Sequence, residues 1–309
     1  MQTLFNQTVV MLILIITGII CFKTGIITKS GNRELSNLVL SVVNPVVIFM
    51  AYQTEYDSEL VKNLLTAFLL SVISFAILIA GAYILVPAKI RNSEIERFSS
   101  IYSNCAFMGI PLIQALFGSI GVFYLTAYLT VFNFMIWTHG IILLSGEKDF
   151  KKVLKVLYSP VILSIVVGII MFFLQIKLPS VMSKALGFVA DLNTPLAMIV
   201  SGVTMADADI ISLIKKKRIY YTAFLKLILF PALITVIFAL PIFSGIDSDV
   251  RTSIIIAASA PSAAMCTLQC IRIGKDSLYA SEIFAFTTVF SVISLPLVVQ
   301  FDKIMQNFF

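Results

Sequence analysis

Charged residues fall at intervals along this chain, and the stretches between them are long and apolar. Stretches with no Asp, Glu, Lys or Arg, or with only one, cover 1–22, 35–54, 63–88, 98–146, 156–176, 185–206, 219–246, 252–271 and 277–301. Most approach the ~20 apolar residues that a helix needs to cross a bilayer. The stretch 98–146 is 49 residues long, with Gly118-Ser119-Ile120-Gly121 near its centre. That turn-prone cluster divides it into two spans joined by a tight hairpin. Ten membrane helices are therefore predicted, numbered here as spans 1 to 10.

Helix-breaking residues recur within the spans at one offset. Asn44-Pro45 in span 2 and Thr194-Pro195 in span 7 are 150 residues apart, and so are Pro111 in span 4 and Pro261 in span 9. The same offset lays span 1 on span 6. Five spans per half is an odd number, so the halves enter the membrane from opposite sides. The expected fold is an all-α polytopic membrane protein of two inverted five-helix repeats, 1–146 and 156–309, joined by a short cytoplasmic linker, 147–155. Matched interruptions in two halves are a sequence pointer to a transporter's binding site.

In span 4 the interruption is Asn104-Cys105-Ala106-Phe107-Met108-Gly109-Ile110-Pro111-Leu112; in span 9 it is Ser259-Ala260-Pro261-Ser262-Ala263-Ala264. Proline removes a backbone donor and clashes with the preceding turn. In hydrocarbon the freed backbone groups need partners, so such breaks belong in packed protein or beside a wet cavity. Half-helices restarting at the two breaks would aim their positive N-termini at one centre, which suits an anion. Asn104, Gly109, Pro111, Gln114, Ser259, Pro261 and Ser262 are the candidate substrate-binding residues. Asn44, Pro45, Thr194 and Pro195 are the candidate supports at the other two interruptions.

Composition places all of this in a bilayer: 59% of residues are hydrophobic, 12% are charged, and 25 are Phe, whereas soluble domains are about a quarter charged. Sixteen of the 22 Lys and Arg fall on alternate connections, beginning with Lys23, Lys29 and Arg33 and including the run Lys215 to Arg218. Short cytoplasmic loops are enriched in these residues, so both termini are expected outside. The +6 net charge is this bias rather than a nucleic-acid footprint, and no nucleic-acid partner is expected. No removable leader is expected either, because Met1 to Thr8 carries no basic residue and no small-residue cleavage site follows Phe22.

The interrupted motif, with Gln114-Ala115-Leu116-Phe117-Gly118 after it, resembles the span 4 motif of the auxin efflux carrier family. Ala190-Asp191-Leu192 with Pro195-Leu196-Ala197-Met198 resembles that family's span 7, and Ala257 to Ser262 with Leu295-Pro296 resembles its spans 9 and 10. The resemblance covers the whole chain. It implies a fold like that of bile-acid transporters and antiporters, with crossing broken helices, and elevator-like movement of small organic acids such as malate across the plasma membrane. Ala106 stands where many bacterial members carry glycine, and the link after span 5 is short, as in compact prokaryotic members.

Three ionisable residues within spans are candidates for coupling, because charge in hydrocarbon usually marks a pathway or a partner. Asp191 is expected near the middle of span 7 as a deep carboxylate. Lys226 is expected to snorkel toward the headgroups, with substrate pairing as the alternative. Glu282 reads equally as a structural ion pair or a coupling site. No cofactor is expected; coupling to H⁺ is preferred over Na⁺, for which Ser259, Ser262, Thr267 and Gln269 could supply oxygen ligands. The single histidine, His139, reads as an interfacial polar residue beside Trp137. Cys21, Cys105, Cys266 and Cys270 read as packing residues, and no metal site is expected.

A sodium-coupled symporter of the bile-acid-carrier type shares the architecture. An intramembrane enzyme would need paired aspartates, a zinc-binding His pair or a Ser-His arrangement, and one peripheral histidine with one deep aspartate supplies none. Homodimer formation is left open.

Overall fold

A computed structural model describes residues 2–146, 158–206 and 216–308. The linker 147–155, with Lys148, Lys151, Lys152 and Lys155, lies outside them, as does Lys215. The described chain is helical. Its helices are α1 (Gln2–Lys23), α2 (Lys29–Leu38), α3 (Asn44–Ala51), α4 (Ser58–Leu85), α5 (Ser93–Ile101), α6 (Ile110–Met135), α7 (Ile141–Ser145), α8 (Pro160–Leu174), α9 (Ser180–Asp191), α10 (Asn193–Ala206), α11 (Lys217–Phe224), α12 (Phe230–Phe238), α13 (Ser248–Ser259), α14 (Met265–Ile273) and α15 (Ser277–Phe308). Single π-turns join α2 to α3, α6 to α7 and α11 to α12, and another, Cys105–Gly109, leads into α6.

Local chemistry sets several helix starts. Thr28, Asp57, Ser159 and Asp247 each accept a hydrogen bond from a backbone N–H in the first turn of α2, α4, α8 and α13, which satisfies donors that no helix can satisfy internally. Ile13, Ile20, Leu65, Phe173, Ile293 and Leu297 are exposed on the outer faces of long helices, where a lipid environment covers them without penalty.

Among the described residues seven helical stretches are long and apolar enough to cross a membrane: Phe5–Lys23, Lys29–Ala51, Ser58–Leu85, Cys105–Ser145, Ser180–Ala206, Lys217–Phe238 and Ser277–Gln306. The protein is a multi-pass membrane protein. This number differs from ten at identifiable places. Cys105–Ser145 counts as one stretch of 41 residues, yet Gly118 within it has φ 61° and ψ −151°, a conformation essentially confined to glycine. The chain leaves the helical path there, where the Gly-Ser-Ile-Gly turn is expected. Span 6 corresponds to the shorter apolar helix α8, and span 9 is divided into α13 and α14 by the Ala260–Ala264 interruption, so neither reaches the length of a continuous span.

The helices pack in two groups that cut across the order of the chain. In one, α1 lies against α10, α10 against α2, and α3 against α8 and α9; in the other, α4, α6, α12 and α15 surround α13, and α14 packs on α15. Within the first group α1 and α10 touch backbone to backbone. A Cβ on Gly202 would lie 2.0 Å from the carbonyl oxygen of Ile15, and one on Gly18 would lie 2.2 Å from that of Ile199. Small residues permit this approach, on which helix association in membranes depends.

Two outcomes are expected from these glycines. Gly202→Ala forces a methyl against backbone that cannot yield, and should lower the apparent Tm of the purified protein, as overpacking costs about 1–3 kcal/mol. Gly187→Ala, where a Cβ would meet nothing within 4 Å, should leave the Tm unchanged or raise it. Equal Tm values for the two variants would contradict the close crossing. Gly118→Ala should also destabilise, by about 1–3 kcal/mol, through backbone strain alone, since the space around it is open.

Candidate functional site

The two interrupted spans meet. Helix α5 ends at Ile101 and Tyr102 turns extended (φ −88°, ψ 118°); α13 ends at Ser259 and Ala260 turns extended (φ −56°, ψ 152°). Ser103 and Ser262 then form an isolated antiparallel bridge. The N–H of Asn104 donates to the carbonyl of Pro261 at 2.6 Å, and the N–H of Ala263 donates to the carbonyl of Tyr102 at 2.9 Å. Each break thus satisfies backbone groups freed by the other. The N–H of Ser262 donates to Thr287 Oγ1 at 3.1 Å, its Oγ donates to the carbonyl of Ser99 at 2.8 Å, and Ser103 Oγ lies 3.3 Å from the Tyr128 hydroxyl.

Asn104, Pro261 and Ser262 are brought together as the sequence leads one to expect, with Pro111 in the first turn of α6. Two of the N–H groups expected to face a ligand are instead used by the opposite break. What remains is side-chain capacity: Asn104 Nδ2 and Ser259 Oγ are buried without a partner among the described residues. Gly109 lies beside α13, and a Cβ there would meet Cys105 Cβ at 3.4 Å and Ala257 Cα at 4.0 Å, so alanine fits. Gln114 is half-buried one turn beyond Pro111.

At the far side of the crossing Lys226 departs from the snorkelling expected of it. It is fully buried in the π-turn Leu225–Leu229. Its Nζ donates to the carbonyl of Ala258 at 3.1 Å and lies 3.5 Å from that of Ile101. These carbonyls close the C-terminal ends of α13 and α5, where each helix carries about half a negative charge. A single cation therefore faces both negative ends. No carboxylate forms an ion pair with it among the described residues. The reason it does not reach water is that α5 and α15 pack against its turn.

Glu282 is buried and holds Lys216 with both oxygens, at 2.7 and 2.5 Å. Asp191, by contrast, is exposed at the end of α9, and the structure does not bring it to the crossing. Asn44 and Pro45 follow the π-turn Val39–Val43 directly and are buried; Thr194 and Pro195 are half-buried in the first turn of α10, after the single non-helical residue Leu192. Both places are therefore bends rather than open breaks. His139 is half-buried, with Nδ1 2.8 Å from the hydroxyl of Tyr102 and Nε2 3.3 Å from that of Tyr83, so it touches the break through Tyr102. Among the described residues no group of three His, Cys, Asp or Glu could hold a metal ion.

Sequence reasoning missed two clusters. Glu96, buried in α5, receives both Arg218 Nε, at 3.0 Å, and Arg218 Nη2, and also the hydroxyl of Tyr279, at 2.8 Å. Arg251 Nε donates to Asp302 Oδ1 at 3.1 Å and Thr252 to Oδ2 at 2.7 Å, with both charged groups buried. These residues lie near the ends of the charge-free stretches. The sequence also missed Asn193, whose Nδ2 donates to Asn44 Oδ1; an Asn beside the predicted interruption at Thr194 was the available signal.

The chain is similar to known membrane transport proteins. A family model described as membrane transport protein matches residues 3–153 and 149–299. An uncharacterized transporter of Methanothermobacter thermautotrophicus is 24% identical over 304 residues, covering 93% of this chain and 94% of the relative. An uncharacterized transporter of Methanocaldococcus jannaschii is 25% identical over 310 residues, covering 94% of this chain and 96% of the relative. With a helical bundle built around a paired break and a family match along nearly its whole length, the chain belongs to the membrane transport protein family, that of the auxin efflux carriers, and is a transporter rather than an enzyme.

Proposed function

We propose that this protein is a secondary transporter of a small organic anion, a mono- or dicarboxylate, bound where the two broken spans cross. In this reading the chain has ten spans in two inverted five-helix repeats, with both termini outside. The observation that carries it is the reciprocal pairing of Asn104 N–H with Pro261 and of Ala263 N–H with Tyr102. It fixes two breaks at a common depth, so that the half-helices starting at Cys105 and Met265 present positive ends near one another, an arrangement that favours an anion. The buried, unpartnered Asn104 Nδ2 supplies a directed donor.

Alternating access follows from the two packing groups. The first, α1 to α3 with α8 to α10, is the scaffold; the second, α4 to α7 with α11 to α15, carries the crossing. Among the described residues a single side-chain hydrogen bond is seen between them, Tyr52 hydroxyl to Thr126 Oγ1 at 2.6 Å. So few side-chain hydrogen bonds between the groups support a reading in which one slides against the other as in an elevator.

Sodium coupling is the second reading, and Lys226 weighs against it. The carbonyls of Ile101 and Ala258, which could have held a cation at the negative helix ends, already face an ammonium. Uptake of a radiolabelled carboxylate into vesicles holding the purified protein tests the function. The rate should persist when Na⁺ is replaced by choline; an absolute requirement for Na⁺ would favour the symporter, and no uptake of any small organic anion would refute the proposal.

Two variants probe the site itself. Asn104→Ala should weaken carboxylate binding by about 10- to 100-fold, the effect of losing one hydrogen bond to a charged group, about 1.5–3 kcal/mol, with the Tm little changed. Wild-type affinity would remove Asn104 from the site. Lys226→Met leaves two helix ends without their cation and should abolish most uptake while the protein still inserts; undiminished uptake by this variant would show that the ammonium has no part in transport.

A further inference from the structure

Hydrogen-bonding capacity is left over on three carboxamides at the seam between the two packing groups. Asn44 begins α3 and Asn193 begins α10, and both are buried. One bond of 2.5 Å joins them, from Asn193 Nδ2 to Asn44 Oδ1. Asn44 Nδ2 and Asn193 Oδ1 are then left buried without partners among the described residues, as is Asn104 Nδ2. Turning both amides of the pair around exchanges their roles but leaves the same remainder, one N–H donor group and one carbonyl acceptor. Buried polar groups are nearly always paired, so each such exception calls for a physical reason.

Their placement supplies one. The helix that begins at Asn193 packs against the π-turn Cys105–Gly109, which Asn104 directly precedes, and the helix that begins at Asn44 packs against α6, the continuation of that turn. The amide pair belongs to the scaffold and Asn104 to the crossing. A ligand held between the two groups would meet two amide donors and one carbonyl acceptor. A carboxylate can use the donors, since it only accepts. It cannot use Asn193 Oδ1, which needs a hydrogen.

We propose that Asn44 and Asn193 form the scaffold half of the ligand site and read a second group on the ligand that donates as well as accepts, such as a hydroxyl. The inference rests on the anion-carrier reading above and adds a specificity rule to it. Favoured ligands are anions with a neutral O–H beside the carboxylate, including hydroxy acids and singly protonated dicarboxylates. A plain monocarboxylate leaves the carbonyl without a partner, and a dianion sets a second acceptor against it. Sites built to bond a substrate hydroxyl reject the analogue that lacks it far more strongly than apolar pockets reject a missing methylene.

The test is calorimetry on the purified full chain with three monoanions of similar size: lactate, propionate and 2-fluoropropionate. Lactate should bind at least about tenfold more tightly than propionate, because the site's acceptor is otherwise unmade, and 2-fluoropropionate, polar but without a donor, should follow propionate. The double variant Asn44→Leu, Asn193→Leu removes both amides together, so neither is orphaned, and should bring the three affinities together while propionate still binds. Equal binding of lactate and propionate by the wild type would overturn the amide-pair rule and leave the anion carrier standing. Tight binding of 2-fluoropropionate would likewise overturn it, whether or not the double variant folds. If neither these acids nor a panel of hydroxy- and dicarboxylates bind, the reading beneath the inference fails as well.

Discussion

Two backbone hydrogen bonds, Asn104 N–H to Pro261 and Ala263 N–H to Tyr102, are the constraint on which the rest of this structure depends. A helix interrupted inside a bilayer releases N–H and C=O groups where no water can receive them, and each one left unmade costs several kcal/mol. One break alone cannot solve this. Two breaks can, if they lie at the same depth and run antiparallel, because an extended segment of each offers the donors and acceptors that the other lacks. Pro111 and Pro261 belong to this arrangement, one opening the helix after its break and the other supplying a carbonyl to it.

The charges of the interior follow from that crossing. Breaking two helices creates two positive and two negative ends in a medium that screens poorly. Lys226 faces the negative pair; the positive pair is where the proposed anion would bind. Away from the crossing, buried carboxylates are met by cations: Glu96 by Arg218, Glu282 by Lys216, and Asp302 by Arg251. Each of these ties helices of the group that carries the crossing, joining α5, α11, α13 and α15. Since removing one member of a buried pair leaves an uncompensated charge, they hold that group together as a body. Between that group and the scaffold the only side-chain hydrogen bond seen among the described residues is the one from Tyr52 to Thr126.

Much of this was legible in the chain because the relevant signals are local. A proline in an apolar run, a repeat of two prolines at the same offset, and a Gly-Ser-Ile-Gly turn are each visible in a few residues, and they lead to the breaks and to Gly118. What could not be read was reciprocity. The sequence shows that N–H groups are released at Asn104 and Ala263, but not that the opposite break takes them up. Depth along a helix was readable; direction around it was not, so Asp191 looked buried and is exposed, whereas Lys226 looked free to reach the headgroups and is enclosed. Glu96 and Asp302 sit beside charges counted toward topology, and only tertiary packing reveals them as buried members of ion pairs.

The claim at the centre of this account is that the paired breaks form an anion site, and the most direct measurement is the position of a bound carboxylate. A crystal structure of the full chain with 3-bromolactate, which keeps the hydroxyl beside its carboxylate, located by the anomalous signal of bromine, would give it. The expected result is a single strong peak between α10 and the Cys105–Gly109 turn, with the carboxylate within hydrogen-bond reach, ~3 Å, of Asn104 Nδ2. A peak only among the basic residues Arg91, Lys216 and Lys217 at the rim of the protein, with the crossing left to protein groups alone, would contradict it.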